Sequence, residues 1–511
     1  MSRECIFISG LCQSRKTQKT LDVIAGIETH NEPTLLLYIT QSGSTLNAFQ
    51  VIQRIKAHDV LGRLFPSVLR AAQSRIKPLS NTAIVDFYHK NNMKAMNAMV
   101  NATNWSHVIC IIDEADQGAL SGFRGRLNVL RDLDSNTRGR LYTIFVTATV
   151  PNLCRLFSAE ESKVDTDGSF VSRLLSNDLP VRHLFVTPHE TYVSLEWFFV
   201  NKRVSIMPGV GHLLEKGAVK KSLTQEAAIE QLRKLAARQR RLLLISFTNS
   251  KQEQSQVAEA LVKKGDVDIA VCLNSENVKN YSVYYSSSHG KAVGTWAIPY
   301  GTMMRAANKG RFANHVTDSG DVIETGLDSA HDMSLSHVLF TGLLTNEDFA
   351  RANGRAAAYV RPQLIALRNF LTDKRPSDYP KCRNARIAII GGNMLSRGIT
   401  IQDPNIGFTC TAFVFMDSGK ASNFTDAGAS HTQKAGRALG NMLDFFEGSA
   451  SGNVPPIMVI SAPLFVSALS NERLTYQRGC DNDGAMIDVK NYISREDYRA
   501  MVAVVKREVG V

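Results

Sequence analysis

Short apolar runs recur along the first 190 residues of the chain, each bounded by polar residues. They cover residues 5–9, 34–40, 82–88, 107–113, 141–147 and 181–187. Polar or amphipathic segments of helical length, such as 44–57 and 121–133, lie between them. Because continuous apolar runs are typical of strands that are covered on both faces, this alternation predicts a parallel sheet with helices on either side.

The alternation lapses over residues 188–240 and then resumes. Further apolar runs cover residues 242–248, 268–273, 386–391, 411–416 and 456–461, and a closing helix is predicted at 495–508. Residues 275–382 break the pattern, although a helix-like run covers 346–371. We therefore predict an α/β protein with two parallel-sheet lobes, in which residues 1–190 form the first lobe, 191–240 a linker and 241–511 the second lobe, with an insertion at about 275–382.

The first apolar run ends at Ser9-Gly10, and Lys16-Thr17 begins six residues after Gly10. This spacing matches the phosphate-binding pattern G-x-x-x-x-G-K-[ST], except that Arg15 stands in place of the second glycine. In such a loop the backbone N–H groups attract polyphosphate, the lysine reaches the terminal phosphates and the threonine hydroxyl holds Mg²⁺. The alternative explanation is a chance Lys-Thr pair after an ordinary strand.

A second candidate lies where the apolar run 108–112 ends in Asp113-Glu114-Ala115-Asp116. Acidic residues at the carboxyl end of a buried strand project into the crevice where α/β sheets bind ligands. We expect Asp113 to hold Mg²⁺ through water and Glu114 to orient or deprotonate the attacking water. The alternative is an acidic helix N-terminus that the helix dipole favours. Residues 147–149, Thr-Ala-Thr after the next strand, are predicted to hydrogen-bond the acidic residues.

Two further segments in the second half carry candidate chemistry. The run 387–390 leads into two glycines and then Arg397-Gly398, which places a cation beside flexible backbone. Gln433 and Arg437 lie in a predicted helix that begins at His431. We expect Arg437 to act across the cleft between the lobes as an arginine finger.

These segments, taken in order, resemble motifs I, II, III, V and VI of superfamily 2 helicases. They are Gly10–Thr17, Asp113–Asp116, Thr147–Thr149, Ser396–Thr400 and Gln433–Arg437. Within that superfamily the wording is similar to the Z-one domain branch of DEAD-type P-loop ATPases from viruses, phages and bacteria, which are often labelled endonucleases. The residues that carry this second likeness are Gln13-Ser14, Asp113–Gln117, His89–Asn91 and Gly391–Gly398.

The resemblance implies two RecA-like lobes that close on ATP and Mg²⁺, with DNA or RNA lying across both. It implies that Lys16 contacts the β- and γ-phosphates, that Thr17 and Asp113 hold Mg²⁺, and that Glu114 positions the water. Gln433 and Arg437 are then expected to complete the site from the second lobe, and Arg397 to couple it to the nucleic acid. The predicted nucleotide-binding residues are Gly10, Gln13, Ser14, Arg15, Lys16, Thr17, Arg397 and Gly398.

The sequence departs from the helicase pattern at three positions. Arg15 replaces a glycine in the loop, Lys434 replaces the usual arginine of motif VI, and Gly440 replaces its final arginine. A catalytically degenerate, helicase-derived protein that binds nucleic acid or serves a structural role is therefore the second hypothesis. An ATP-dependent nuclease component is the third, and it ranks last because no strand-borne carboxylate–carboxylate–lysine arrangement is visible.

Composition changes this picture little. The net charge of +12 fits a polyanionic partner such as nucleic acid, although a merely soluble basic protein has the same charge. The eight cysteines are scattered without a C-x-x-C pair, which is typical of reduced intracellular thiols. Every apolar run ends within about ten residues, against roughly 18 needed to cross a bilayer. We expect no membrane segment and an intracellular location in cytoplasm or nucleus, with a virus- or phage-encoded origin consistent with the likeness.

Overall fold

The computed structural model describes the chain in segments. The described residues are 3–29, 32–40, 45–70, 81–87, 89–116, 120–161, 170–176, 178–207, 242–246, 251–263, 267, 269–273, 280–286, 293–299, 314–316, 322–324, 387–391, 410–415, 431–441, 443 and 456–511. They divide into two compact units. The first consists of residues 1–192, 428–433 and 466–511, and the second of residues 193–427 and 434–465.

The strands are numbered along the chain. They are β1 (Arg3–Gly10), β2 (Thr34–Thr40), β3 (Ser67–Leu69), β4 (Thr82–Phe87), β5 (His107–Asp113), β6 (Arg140–Thr147), β7 (Val181–Val186), β8 (Tyr192–Val193), β9 (Val204–Met207), β10 (Leu242–Ser246), β11 (Ile269–Leu273), β12 (Asn280–Ser286), β13 (Val293–Pro299), β14 (Asn314–Val316), β15 (Val322–Glu324), β16 (Ile387–Gly391), β17 (Cys410–Phe415), β18 (Gly440–Asn441), β19 (Ile457–Ser461) and β20 (Met486–Ile487).

The helices are numbered in the same way. They are α1 (Lys16–Ala25), α2 (Thr45–Ala57), α3 (Leu61–Leu64), α4 (Lys90–Ala102), α5 (Leu120–Asn136), α6 (Val150–Glu161), α7 (Phe170–Ser176), α8 (Leu195–Val200), α9 (Lys251–Lys263), α10 (Ala462–Asp481) and α11 (Arg495–Val509). Residues 431–435 are also helical, and a short 3₁₀-helix follows at Gly436–Ala438. Within the described residues no helix is both long and apolar enough to span a membrane.

The first unit is built on a sheet with the strand order β20-β7-β1-β6-β5-β2-β4-β3. All neighbours in it are parallel except β20, which runs antiparallel to β7. Every residue of β2 is buried, and β5 and β6 are buried except at one end each. Continuous apolar strands of this kind are covered on both faces, as parallel sheets require. Because all these strands point the same way, β1 and β5 end at one edge of the sheet.

The second unit is built on a separate sheet with the strand order β13-β12-β11-β16-β10-β17-β19-β9. The strands from β11 to β9 are parallel, and β12 and β13 continue the sheet as an antiparallel pair. A separate antiparallel hairpin joins β14 and β15. The prediction of an α/β protein with mainly parallel strands is therefore confirmed.

The grouping of residues differs from the predicted division in the last part of the chain. Residues 466–511 were predicted to belong with the second lobe, but they group with the first unit. The reason is packing that the sequence does not display: β20 pairs with β7, and Gly479 on α10 lies against the Phe185 ring so closely that an added Cβ would be 2.2 Å from it. The C-terminal residues thus complete the edge of the first sheet.

Two other predicted segments also carry structure of their own. The predicted linker 191–240 contains α8 and β9, and β9 pairs in parallel with β19 in the second unit. The predicted insertion at 275–382 contributes β12 and β13 to the second sheet. Its helix-like run at 346–371 lies outside the described residues, as does the basic segment 227–241.

Candidate active site

Two residues in the loop between β1 and α1 adopt a left-handed backbone conformation. Gln13 has a φ of 59° and Arg15 a φ of 65°, whereas Ser14 between them has no positive φ. Alternation of left- and right-handed residues turns successive N–H groups toward one side and forms a concave nest for an anion. Since α1 begins at Lys16 directly after the nest, the positive end of the helix dipole adds to its attraction for negative charge.

The side chains of this loop provide hydrogen-bond donors for a ligand. The Ser14 hydroxyl is buried, and its Oγ has no hydrogen-bond partner among the described residues. The Lys16 ammonium donates to the Leu11 carbonyl over 2.6 Å. A Cβ at Gly10 would lie 2.8 Å from Ser14 Oγ and 3.0 Å from Val186 Cβ, so only glycine fits at the strand end. The loop therefore folds back on itself around an unsatisfied polar atom.

A buried tyrosine fixes the loop backbone from outside it. The Tyr192 hydroxyl donates a 2.5 Å hydrogen bond to the Cys12 carbonyl. Burial raises the pKa of Tyr192 well above its ordinary value, so this hydroxyl stays protonated and keeps its donor role. The Cys12 thiol, which is also buried, donates to the Thr432 carbonyl. These contacts hold the loop in place at Cys12, and within the loop the Ser14 N–H donates to the Leu11 carbonyl over 3.2 Å.

The acidic pair lies at the carboxyl end of β5, as predicted. Asp113 is the last residue of the strand, and the Glu114 N–H donates to Asp113 Oδ1 over 3.0 Å. Glu114 has a φ of 51°, a left-handed conformation that costs a non-glycine residue about 1–2 kcal/mol. Outliers of this kind cluster at functional sites, where the surrounding structure holds them.

The electrostatic surroundings of Asp113 link it to the loop. Burial raises the pKa of Asp113 above its ordinary value. The positive charges of Lys16 and Arg54 act in the opposite direction, as do its hydrogen bonds from the Tyr38 hydroxyl and from the Glu114 N–H. The lysine of the loop and the carboxylate of β5 are thus close enough to interact within the first unit.

The third acidic residue, Asp116, is held by hydrogen bonds from neighbouring side chains. It is fully buried, and Thr147 Oγ1 donates to its Oδ1 over 2.5 Å, while the Thr149 hydroxyl donates to its Oδ2. Asn152 donates to the Asp116 backbone carbonyl over 3.0 Å. The predicted hydrogen bonds between residues 147–149 and the acidic segment are therefore present. They tie the end of β6 to the segment that follows β5.

Gln433 lies beside Glu114. The Gln433 amide nitrogen donates to Glu114 Oε2 over 2.7 Å, and both residues belong to the first unit. The sequence had assigned Gln433 to the second lobe, together with all of residues 241–511. The grouping of residues 428–433 with the first unit differs from that assignment, because helical residue Thr432 contacts the loop at Cys12. The glutamine is thus within reach of the predicted water-positioning carboxylate.

The remaining predicted residues belong to the second unit or lie outside the described residues. Arg437 is buried in the 3₁₀-helix Gly436–Ala438 of the second unit. Its role as an arginine finger stays a prediction. Arg397 and Gly398 lie outside the described residues.

Sequence reasoning missed three residues of the site: Tyr38, Arg54 and Tyr192. Tyr38 is fully buried in β2, and its hydroxyl donates to Asp113 Oδ2 over 3.2 Å. One signal was available, since Tyr38 is the one strand-interior residue with a polar group between Leu35 and Ile39. A buried tyrosine hydroxyl requires a partner, so such a position points to a polar neighbour. Nothing in the sequence marks Arg54 or Tyr192.

A comparison of the sequence with models of known protein families finds no match, and a comparison with curated proteins finds none either.

The chemical groups near this loop are the kind that bind a metal–phosphate complex. The Thr17 hydroxyl and the Asp113 carboxylate are hard oxygen donors, the type that Mg²⁺ takes together with phosphate oxygens. Glu114 supplies a second carboxylate that is hydrogen-bonded by an amide. The arrangement suits a charged phosphate ester, a divalent cation and a water molecule.

Proposed function

We propose that the chain is a P-loop nucleoside triphosphatase of the superfamily 2 helicase type, with two RecA-like lobes, that couples hydrolysis of ATP to movement on, or remodelling of, DNA or RNA. The observation that carries the proposal is the alternation of left-handed residues at Gln13 and Arg15 immediately before Lys16 and Thr17. It supports a phosphate-binding role even though Arg15 replaces the expected glycine. The Arg15 side chain is exposed to solvent rather than buried in the loop.

The residues of the loop would bind and orient the triphosphate. The Lys16 ammonium, now bonded to the Leu11 carbonyl, exchanges that partner for a phosphate oxygen. The buried Ser14 hydroxyl, which has no partner among the described residues, gains an acceptor. Thr17 and Asp113 would hold Mg²⁺, which when bound neutralises charge on the phosphates.

Glu114 would accept the proton of the attacking water or orient it. Its carboxylate is fixed by the 2.7 Å hydrogen bond from Gln433, so the lone pairs that are not engaged point in a defined direction. Preorganised groups of this kind lower the barrier because they need not rearrange during the reaction. The roles of Arg437 and Arg397 in this proposal rest on the resemblance alone.

Nucleic acid is proposed as the partner on two grounds, the helicase-like motif order and the net charge of +12. An intracellular location follows from the same proposal. The experiment measures phosphate release with no polymer, single-stranded DNA, duplex DNA and RNA in parallel, for the wild type and for Glu114→Gln. Release that a polymer stimulates and that Glu114→Gln abolishes supports the proposal. Tight ATP binding without turnover under any condition favours the degenerate binding protein instead.

A further inference from the structure

Tyr38 places a hydroxyl beside Asp113, a predicted ligand of the divalent cation. Its strand β2 lies next to β5 in the first sheet, with Tyr38 in register with Ile111, two residues before Asp113. The ring is fully buried, so its position is set by packing on both sides rather than by solvent. The hydroxyl is thus delivered to the strand ends by a rigid element.

The hydroxyl makes a hydrogen bond of defined direction. It donates to Asp113 Oδ2 over 3.2 Å. Burial and the neighbouring Asp113 charge raise the pKa of Tyr38 well above its ordinary value, so the phenol remains a donor. The bond therefore joins the interior of β2 to the end of β5.

We propose that Tyr38 is a positioning residue that holds the Asp113 carboxylate in place as a preformed oxygen ligand for Mg²⁺. This inference rests on the proposed function. Partners that orient metal ligands commonly change metal affinity about 10- to 100-fold when they are removed. Loss of the Tyr38 hydroxyl would free the Asp113 side chain from this partner.

The test uses the full chain with Tyr38→Phe, which removes one oxygen atom and keeps the ring. The matched control is Tyr142→Phe, since Tyr142 is also a buried tyrosine of the same sheet, located near the start of β6. Mn²⁺ binding to the ADP complex is followed by electron paramagnetic resonance, and ADP affinity is measured separately in EDTA. We expect Tyr38→Phe to weaken Mn²⁺ binding about tenfold and to leave ADP affinity in EDTA unchanged.

The outcomes separate this inference from the function it rests on. If the wild type binds ADP with Mn²⁺ and Tyr38→Phe binds Mn²⁺ equally well, the role of Tyr38 is overturned and the proposed function stands. If the wild type binds no nucleotide, both are overturned. Weaker Mn²⁺ binding in Tyr142→Phe as well would show a general effect on the sheet and would also overturn the specific role.

A second measurement does not depend on removing the hydroxyl. A single fluorinated tyrosine placed at position 38 retains the hydrogen bond to Asp113, and a second labelled sample of the chain carries the fluorinated tyrosine at position 142 instead. Because Mg²⁺ takes a lone pair from Asp113, its addition to the ADP complex should shift the fluorine resonance at position 38 and leave that at position 142 unchanged. No shift at position 38 would overturn the proposal.

Discussion

The Gln433 side-chain amide donates a 2.7 Å hydrogen bond to the carboxylate of Glu114, a residue 319 positions earlier in the chain. Both residues lie in the first unit. The bond fixes a carboxylate whose own backbone is held in the left-handed region at a φ of 51°. This pairing makes Glu114 the best-oriented candidate for positioning water.

Gln433→Leu should therefore lower kcat while leaving nucleotide affinity intact. A hydrogen bond to a charged group contributes about 1.5–3 kcal/mol, which corresponds to a loss of about 10- to 100-fold in rate if the bond serves only the reaction. Steady-state phosphate release and equilibrium binding of a non-hydrolysable ATP analogue are measured together. An unchanged kcat would show that Glu114 does not need this partner.

Position 15 should tolerate glycine better than alanine, because Arg15 has a φ of 65°, which lies in the left-handed region. In that region a Cβ costs about 1 kcal/mol or more. The free energy of unfolding of Arg15→Gly is therefore expected to be higher than that of Arg15→Ala by about that amount. Gln18, exposed in α1, is the control, because alanine should be the more stable choice at a helical position. Urea denaturation of Arg15→Gly, Arg15→Ala, Gln18→Gly and Gln18→Ala measures these differences in the free energy of unfolding. Equal stability of the two Arg15 variants would mean that the loop relaxes.

Thr147 should contribute more to the free energy of unfolding than Thr143, which lies on the same strand and the same face. Thr147→Val removes a donor to the fully buried Asp116 carboxylate and is expected to lower the free energy of unfolding by about 2–3 kcal/mol. Thr143→Val is the matched control, since the Thr143 hydroxyl is buried without a partner among the described residues. It should be neutral or slightly stabilising. Denaturant unfolding of both variants checks the difference, and equal losses would contradict the assigned network.

His183 should make the first unit less stable in mild acid. It accepts from the Ser9 hydroxyl at Nε2 over 2.7 Å and donates from Nδ1 to the Asn482 carbonyl over 2.9 Å, so the neutral ring fills both positions. Burial lowers the pKa of His183, against smaller opposing effects of the Asn482 carbonyl and the Asp483 charge.

The sign of this effect follows from proton uptake. Below a pH of about 6.5 the unfolded chain binds a proton at this histidine before the folded chain does. The free energy of unfolding should therefore fall as the pH drops from about 6.5 toward the lower pKa that His183 has in the folded chain. His183→Gln should show a smaller fall between about pH 7.5 and 5.5. The same fall in both proteins would contradict the buried neutral ring.

Much of the fold was predictable because buried parallel strands are visible in the sequence as apolar runs. The apolar runs predicted at 107–113 and 141–147 appear as β5 and β6, since strands buried on both faces need unbroken apolar sequence. The two-residue strand β20 was not predictable. It is too short to have a periodicity, and its pairing with β7 joins residues about 300 positions apart. The grouping of residues 466–511 depends on that pairing.

The candidate site was also predictable from the sequence only in part. Lys16, Thr17 and Asp113 were predicted from spacing. Lys16 and Thr17 begin the helix that follows β1, Asp113 ends β5, and a parallel sheet brings both strand ends to one edge. The left-handed conformation of Gln13 and Arg15 has no side-chain signature, and it turns the apparent defect at position 15 into part of the nest. The bond between Gln433 and Glu114 required coordinates, because neither residue identifies its partner by type.

Binding of Mg²⁺ and ATP by the wild type, Lys16→Ala and Lys19→Ala, measured by titration calorimetry, tests the phosphate-binding loop most directly. Lys19 is exposed in the same helix, one turn beyond the loop, and controls for charge and helix propensity. The wild type and Lys19→Ala should bind with similar affinity, and Lys16→Ala should bind at least about tenfold more weakly, because the Lys16 ammonium is the one proposed to contact the phosphates. Equal affinity of all three proteins, or no binding by any, would contradict the account.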